Sequence, residues 1–152
     1  MSGRGARLGV DVGSVRVGVA VSDPDGILAT PLVTLPRDRD SGTESDHIAS
    51  DMAAIATLVG DRDIIEVIVG LPITLAGKEG LAAASTRQYA DALAKLIDPV
   101  PVLLTDERMS TAAAARRLSE RGVRGRRQRA VVDQAAAVEI LQGWLDARRR
   151  QT

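Results

Sequence analysis

Two segments near the start of the chain alternate between apolar and other side chains. The first covers residues 7–12, the second covers residues 15–21, and Gly13-Ser14 lies between them. Alternating segments joined by a short glycine-containing turn predict a β-hairpin. Residues 27–35 predict a third strand, which is punctuated by Pro31. The chain is therefore expected to begin with three neighbouring strands.

Helical and strand patterns alternate through the rest of the chain. Helices are predicted over residues 45–59, 81–97, 110–120 and 130–147, and two more strands over residues 64–69 and 100–104. The strand at 64–69 is apolar except for Glu66, which is typical of a strand buried on both faces. Ser110 is a plausible N-cap for the third helix. Residues 122–128 are expected to form a mobile basic loop.

The first two predicted helices each have an apolar side that can face a sheet. The stripe of the first helix consists of Ile48, Met52, Ile55 and Val59. The apolar side of the second helix includes Leu81, Ala84, Leu93 and Leu96. Strands that alternate with helices imply parallel pairing and right-handed crossovers. We therefore expect one α/β domain over residues 1–152, ordered from about 7 to 147. Its mixed five-stranded sheet would have an antiparallel three-strand start and helices on both faces.

Composition narrows the chemistry that is available. The chain has no cysteine, a single histidine (His47), one Trp, one Tyr and no Phe. Disulfides, thiol catalysis and cysteine-based zinc sites are excluded, and there is no aromatic platform on which bases could stack. His47 is best explained as a surface or capping residue. No apolar run approaches the length of a membrane span and the N-terminus lacks an apolar signal core, so we expect a cytoplasmic protein without membrane contact.

Charge is balanced overall but unevenly placed. The formal net charge is zero. One segment is nevertheless rich in arginine, and it contains Arg116, Arg117, Arg121, Arg124, Arg126, Arg127 and Arg129. A local basic patch can bind phosphates even in a neutral protein. The structural alternative is the solvated end of a helix and a loop.

Three carboxylates stand out, because their positions in the sequence predict that they are buried or lie close together. Asp11 interrupts an apolar strand beside Gly13 and Gly18, although aspartate is depleted in strands. Glu107 follows the fifth strand, where ligands gather in open α/β sheets. Asp133 lies in the expected first turn of the last helix, on the same face as its apolar stripe. The structural alternatives are an exposed strand end, an ordinary charged loop and an acid that favours the helix dipole.

If the three carboxylates converge, they need a counter-charge. Two unit charges about 4 Å apart repel by roughly 4 kcal/mol at an effective dielectric of 20. Either their pKa values rise or a cation lies among them, and carboxylate oxygens suit Mg²⁺ or Mn²⁺. An all-carboxylate site is suited to two-metal hydrolysis of a phosphodiester. No serine elbow and no Walker A motif is present, and Lys78 is either a phosphate contact or a plain loop lysine.

Five motifs along the chain resemble those of the YqgF/RuvX family. They are Gly-Val-Asp-Val-Gly at 9–13, Arg16-Val17-Gly18-Val19-Ala20 with Ser22-Asp23, Val69-Gly70-Leu71-Pro72 with Gly77, Asp106-Glu107-Arg108 with Ser110-Thr111, and Asp133-Gln134-Ala135-Ala136-Ala137. The resemblance covers about residues 7–146. It departs at Ser-Val-Arg after Gly13, where relatives often have a Lys-Arg pair, and at Thr74, where Asn is common. These departures concern phosphate contacts and loop detail rather than the acids.

The resemblance implies a ribonuclease H-like fold and assigns the family's acidic triad to Asp11, Glu107 and Asp133, as catalytic residues and ligands of Mg²⁺ or Mn²⁺. It implies a nuclease that trims the 5′ end of precursor 16S rRNA during ribosome biogenesis. Contacts to the nucleic acid are expected from basic residues near the acids. They are Arg16, Lys78, Arg108, Arg124, Arg126, Arg127 and Arg129.

Three other functions compete with this one. A Holliday junction resolvase of the same fold would act on branched DNA in recombination or repair, as a homodimer that cuts two strands. A non-catalytic RNA-binding factor in ribosome maturation would bind through the basic segment without cleaving. An actin-like ATPase is suggested by Asp-Val-Gly-Ser at 11–14, but its two related domains do not fit within 152 residues.

Overall fold

A computed structural model describes residues 3–38, 48–74, 76–107 and 126–151, with only the backbone described from 126 to 133. Its five strands are β1 (Arg7–Val12), β2 (Arg16–Ser22), β3 (Ala29–Pro36), β4 (Glu66–Leu71) and β5 (Val102–Asp106). Its helices are α1 (Ser50–Asp61), α2 (Leu81–Ile97) and α3 (Arg126–Arg150). All five predicted strands are confirmed. The predicted helix over 110–120 lies outside the described residues.

The strands form one mixed sheet in the order β3-β2-β1-β4-β5. β1 pairs antiparallel with β2, and β2 pairs antiparallel with β3. β4 lies parallel to β1 on one side and to β5 on the other. The predicted antiparallel start and parallel continuation are therefore confirmed. Since β1, β4 and β5 are parallel, their carboxyl ends meet at one edge of the sheet.

Helices cover both faces of this sheet. Helices α1 and α2 pack on one face, over a core that includes Leu8, Val10, Val67, Val69 and Leu93. Helix α3 packs on the other face, where Ile68 meets Ala136, Ala137, Ile140, Leu141 and Leu145. All six residues of β4 are buried, as expected for a strand covered on both faces. Alternate residues of β1 and β4 thus contribute to two separate apolar layers.

Glycines let α3 lie unusually close to the sheet. A Cβ atom at Gly9 would stand 2.6 Å from the Cβ of Leu141 and 2.9 Å from the carbonyl oxygen of Ala137. A Cβ atom at Gly70 would stand 2.5 Å from the Cδ1 of Ile140. Real Cβ contacts are not this short, so any side chain at either glycine would push against the helix. The absence of side chains at these positions sets the distance between α3 and the central strands.

Three details of the predicted helices are wrong. Helix α1 begins at Ser50, so exposed Ile48 precedes it, whereas Ile55 and Val59 are buried as predicted. The backbone N–H of Ser50 donates to the Asp38 carboxylate (2.9 Å), which satisfies one of the first free amides of the helix. In α2 the buried stripe follows a different phase from the predicted one. It consists of Ala83, Thr86, Tyr89, Ala90, Leu93 and Ile97, and Leu81 is 92% exposed.

The third correction concerns the basic loop predicted over 122–128. Helix α3 begins at Arg126, four residues before the predicted start, and continues to Arg150. Arginine and glutamine are good helix formers, and no glycine or proline separates Arg126 from the apolar stripe of the helix. The basic residues at 126, 127 and 129 are thus helical positions.

Candidate active site

Asp11 is a buried acid in the central strand. Its residue is 3% exposed, and it pairs in register with Gly18 of β2. Strand alternation places it on the same face as Gly9, the face that α3 covers. Gly18 is itself buried and carries no side chain beside the carboxylate. The structural alternative for this residue, an exposed strand end, is wrong.

Glu107 is a second buried acid, at the carboxyl end of β5. It is 4% exposed and directly follows Asp106, the last residue of that strand. Leu103 packs in the α3 layer, and alternation puts Thr105 on the same side, so position 107 continues that series. Thr105 pairs with Gly70 of β4, and Val69 of β4 pairs with Val10 of β1. Asp11 and Glu107 therefore lie toward the same edge of the sheet.

Helix α3 runs antiparallel to β1 and reaches the level of Asp11 in its first half. The C-terminal part of α3 is near the start of β1, since the Arg7 guanidinium lies over the Trp144 ring at 5.7 Å. At the other end of β1, the Gln134 side chain donates to Thr34 Oγ1 (3.0 Å). Thr34 pairs with Gly18, which pairs with Asp11, so these residues form one row across the sheet. Position 134 of the helix lies at that row.

The third predicted acid, Asp133, directly precedes Gln134 in α3. It comes seven residues after the helix begins at Arg126, so the expected first-turn position is wrong. An acid this far along the helix gains little from the helix dipole, which acts within the first turn. The side chain of Asp133 lies outside the described residues. Among the side chains that are described, no three acidic, histidine or cysteine residues form a group able to hold a metal ion.

The donors that are described fit a hard divalent cation. Asp11 and Glu107 offer only carboxylate oxygens, and both are nearly closed to solvent. Carboxylate oxygens are the ligands that Mg²⁺ and Mn²⁺ prefer in proteins, and burying two acids on one face is costly without a counter-charge. The chemistry of these two residues thus agrees with the predicted metal, and Asp133 would complete the set.

A buried polar network lies behind the turn that joins β1 to β2. The Arg37 guanidinium donates to the carbonyl of Gly13 (2.8 Å), two residues after Asp11. The same guanidinium lies over the Tyr89 ring at 5.2 Å, and the Tyr89 hydroxyl donates to the Asp51 carboxylate (2.6 Å). Burial, reinforced by this hydrogen bond, raises the pKa of Tyr89 above its usual range. The network ties α1 and α2 to the turn beside the acid.

Sequence reasoning missed this network, although one signal was present. Asp51 lies four and eight residues before Ile55 and Val59, so it shares the buried stripe of α1, and it is itself buried. An acid on an apolar stripe implies a partner, because an unpaired buried charge is costly. The partner, Tyr89, is the only tyrosine in the chain.

The predicted substrate contacts are only partly described. Arg16 is half-buried at the start of β2, two residues from Gly18 and therefore on the face of Asp11. Lys78 is exposed in a turn closed by the Thr74 hydroxyl, which accepts its backbone N–H (3.1 Å). The remaining predicted contacts lie outside the described side chains, and they are Arg108, Arg124, Arg126, Arg127 and Arg129.

The Ser22-Asp23 motif has a structural role in this fold. The Asp23 carboxylate accepts backbone N–H groups from Leu28 (2.7 Å) and Ile27 (2.8 Å). These bonds, that of Leu28 first, lower the pKa of Asp23 from its ordinary value. The Ser22 hydroxyl accepts the backbone N–H of Arg7 (2.9 Å). Asp23 therefore stabilises the β2–β3 turn, and Ser22 links the end of β2 to the start of β1, at the end of the sheet away from Asp11.

Solved structures share this fold. Thermus thermophilus RuvC in complex with Holliday junction substrate matches with a TM-score of 0.54 and 16% identity, over 97% of each chain. A second Thermus thermophilus RuvC structure matches with a TM-score of 0.51 and 15% identity, over 95% of this chain and 96% of that one. At such identities the likeness shows the fold, which is the expected ribonuclease H-like one. No helix in the described parts of the chain is both long and apolar enough to cross a membrane.

Sequence relatives are much more similar. A protein of Rhodococcus opacus strain B4 is 56% identical over 148 residues, which are 97% of this chain and 81% of the relative. One of Mycobacterium ulcerans strain Agy99 is 55% identical over 148 residues, 97% of this chain and 82% of the relative. Both are described as candidate pre-16S rRNA nucleases. A family model described as RuvX, Holliday junction resolvase, matches residues 5–147.

These relatives and the family model identify a nuclease, a hydrolase of phosphodiester bonds in nucleic acid. Within that class, the chain belongs to the RuvX family. The resemblance drawn from the five sequence motifs is thereby confirmed.

Proposed function

We propose that this nuclease trims the 5′ end of precursor 16S rRNA, with Asp11, Glu107 and Asp133 as its catalytic metal ligands. The observation that carries the proposal is the burial of two acids on the α3 face, toward the edge where the parallel strands end. The Gln134–Thr34 bond supports the third ligand, because it brings the helix to the row of Asp11 next to position 133. We expect this nuclease to act in the cytoplasm, as a single domain.

Each acid has a distinct structural support for its role. Asp11 is held by the central strand, Glu107 by the end of β5 and position 133 by a helix packed tightly on Gly9 and Gly70. Bound Mg²⁺ or Mn²⁺ would supply an activated water and charge stabilisation for the leaving oxygen. The carboxylates would bind and orient the metal ions, and the surrounding apolar layer would limit access of bulk water. Rigid elements hold such ligands more accurately than loops do.

Substrate contacts would come from the basic residues around this edge. Arg16 lies on the face of Asp11 close to the β1–β2 turn. Lys78, Arg108, Arg124 and the arginines at 126, 127 and 129 would add phosphate contacts. With one Trp and one Tyr in the chain, recognition would rest on backbone and shape rather than on base stacking.

A Holliday junction resolvase is the second candidate, favoured by the description of the family model. It requires two copies of the chain, because the two strands of a junction are cut symmetrically. The two functions predict different substrates for the same acids.

The deciding experiment incubates purified protein with a 5′-extended 16S precursor or with a four-way DNA junction. Each substrate is offered with Mg²⁺, with Mn²⁺ and with EDTA. We expect cleavage of the precursor with either metal, none with EDTA, and an intact junction. Cleavage of the junction alone would favour the resolvase. Binding of the precursor without cleavage under any condition would contradict the assignment and indicate a non-catalytic RNA-binding factor.

A further inference from the structure

A second basic site lies at the other end of α3, away from the acids. A cavity of about 300 Å³ opens between the N-terminal segment, the β2–β3 turn and the C-terminal end of the helix. Four arginines contribute to its lining, and they are Arg4, Arg7, Arg148 and Arg149. We refer to this cavity as the arginine pocket. Asp25 is the one acidic residue in its lining.

The floor of the arginine pocket holds two guanidinium groups against one carboxylate. Arg7 is 5% exposed, and its Nε donates to Glu66 Oε1 (2.6 Å). Arg148 donates to the same oxygen at 3.3 Å. Both guanidinium groups lie over the Trp144 ring, Arg7 at 5.7 Å and Arg148 at 5.1 Å. One carboxylate therefore faces two guanidinium groups, which leaves a surplus of positive charge beside the cavity.

The other two arginines are more fully used within the protein. Arg149 donates to the carbonyls of Gly26 (3.0 Å) and Ile27 (2.9 Å) and pairs with Asp146. Arg4 pairs with Asp25 (2.8 Å), and both side chains are well exposed. Arg148 is the residue best placed to bind a ligand. Its side chain is 34% exposed and lines the pocket, and its hydrogen bond to Glu66 is long at 3.3 Å.

We propose that the arginine pocket binds a backbone phosphate of the nucleic-acid substrate, apart from the cleavage site. Guanidinium groups bind phosphate through paired N–H donors, and a surplus positive charge next to a cavity favours an anion there. Arg7 and Asp11 are four residues apart on β1, which is about 13 Å at the rise of a strand. A nucleic-acid strand lying alongside α3 would contact the acids near one end of the helix and the arginine pocket near the other. This inference rests on the proposed nucleic-acid substrate.

A purely structural role is the alternative for the same arginines. Arg148, Arg149 and Arg150 lie in the last turn of α3, where positive side chains favour the helix dipole. In that case they would stabilise the helix end and make no difference to nucleic-acid binding. The two roles differ in how the affinity depends on salt.

The test measures binding of a 5′-extended 16S precursor to the full-length protein in EDTA over a series of salt concentrations. EDTA removes the metal that cleavage is proposed to need, so binding is measured apart from catalysis. Arg148→Gln should lower the slope of log affinity against log salt by about 0.7–0.9, the value for one lost phosphate contact. The slope for Arg148→Lys should be close to that of the wild type. The control is Arg87→Gln, which removes an exposed arginine of α2 that pairs with Glu79. It should leave the slope unchanged.

A second variant and a small-anion control complete the test. Arg4→Gln removes a second arginine of the pocket without touching Glu66, and it should also reduce the slope. This variant provides the test if Arg148→Gln fails to fold. Inorganic phosphate is added separately, and its protection of the protein against thermal unfolding is recorded. An unchanged slope in the folded variants would overturn the proposal. Protection by free phosphate with an unchanged slope would also overturn it, because the pocket would then serve a small anion.

Discussion

At the scale of single residues, the Tyr89 hydroxyl and the Asp51 carboxylate form a buried pair that connects α2 to α1. Tyr89→Phe removes the donor, keeps the ring under Arg37 and leaves a buried carboxylate with one hydrogen bond fewer. We expect a loss of about 1–3 kcal/mol in the free energy of unfolding. Urea denaturation at neutral pH measures it. Thr57→Val, which removes an exposed hydroxyl from α1, serves as the control, and equal stabilities for the two variants would contradict this role.

The Asp23 carboxylate makes the stability of the β2–β3 hairpin depend on pH. Its pKa is lowered in the folded protein, chiefly by the Leu28 N–H, so the charged form favours folding. This contribution is present above the ordinary pKa of 3.8 and is lost as the pH falls through the lower folded value. Asp23→Asn should therefore destabilise the protein at neutral pH, and the difference from wild type should shrink in acid. Melting temperatures between pH 2 and 7 test this, and a difference that does not vary with pH would refute it.

The sequence predicted the burial of an acid better than it predicted which residues pair with one. Asp11 stood out because aspartate is rare in an apolar strand, and it is buried as that anomaly required. Glu66 was noticed only as a break in an apolar run. Its partners Arg7 and Arg148 are 59 and 82 residues away in sequence. No local pattern reports such pairs, because they form only when β1, β4 and α3 are assembled.

At the scale of elements, the close packing of α3 on β1 determines where the third acid can lie. Gly9→Ala would place a Cβ against the Leu141 Cβ and the Ala137 carbonyl, neither of which can move without the helix. We expect a loss of about 1–3 kcal/mol in stability and a reduced cleavage rate, because α3 carries Asp133. Gly70→Ala should be milder, since it meets the flexible end of Ile140. Urea denaturation and cleavage rates measure both effects.

Gly60→Ala is the matched control for this prediction. Gly60 lies in α1, and a Cβ there would meet nothing within 4 Å. Alanine should raise stability by about 0.4–1 kcal/mol, mainly by restricting the unfolded chain. If Gly9→Ala and Gly60→Ala behaved alike, the tight contact between α3 and the sheet would be refuted.

Strands were easier to predict than the limits and phases of helices. Alternation identified β1 and β2 almost to the residue, because one strand face must be apolar. In α2, alanine occupies both buried and exposed positions, as Ala83 and Ala84 show, so the sequence has little contrast from which to infer a phase. In α3 the arginines before the apolar stripe looked like a loop because they are charged. Their helix propensity, rather than their charge, agrees with the observed start.

At the scale of the whole molecule, two polar sites lie on the α3 side of the sheet. The acids lie toward the edge where the parallel strands end, the usual place for ligands in α/β proteins, and the arginine pocket lies at the opposite end. The sequence indicated this arrangement only in part. It placed the acids on elements that converge, but the arginine pocket joins residues from the chain start, the β2–β3 turn and the end of α3. The substrate depends on surface shape and was implied only by family resemblance.

Metal binding should be visible in the stability of the whole protein. If Asp11, Glu107 and Asp133 share a cation, Asp11→Asn removes one repelling charge from the metal-free site. The melting temperature in EDTA should then be equal to or above that of wild type. The increase produced by Mg²⁺ or Mn²⁺ should shrink, because ligand-linked stability follows affinity for the folded state. Asp61→Asn, an exposed acid at the end of α1, is the control, and undiminished stabilisation of Asp11→Asn by metal would argue against the site.

The rate of cleavage of a 5′-extended 16S precursor by Asp11→Asn, compared with wild type in Mg²⁺, tests the central claim most directly. Asparagine retains the shape of aspartate and removes its charge, so the fold should persist while the metal site is lost. We expect cleavage by wild type and none by the folded variant, with Asp61→Asn active. Cleavage at the wild-type rate by folded Asp11→Asn would contradict the assignment of the active site to these carboxylates.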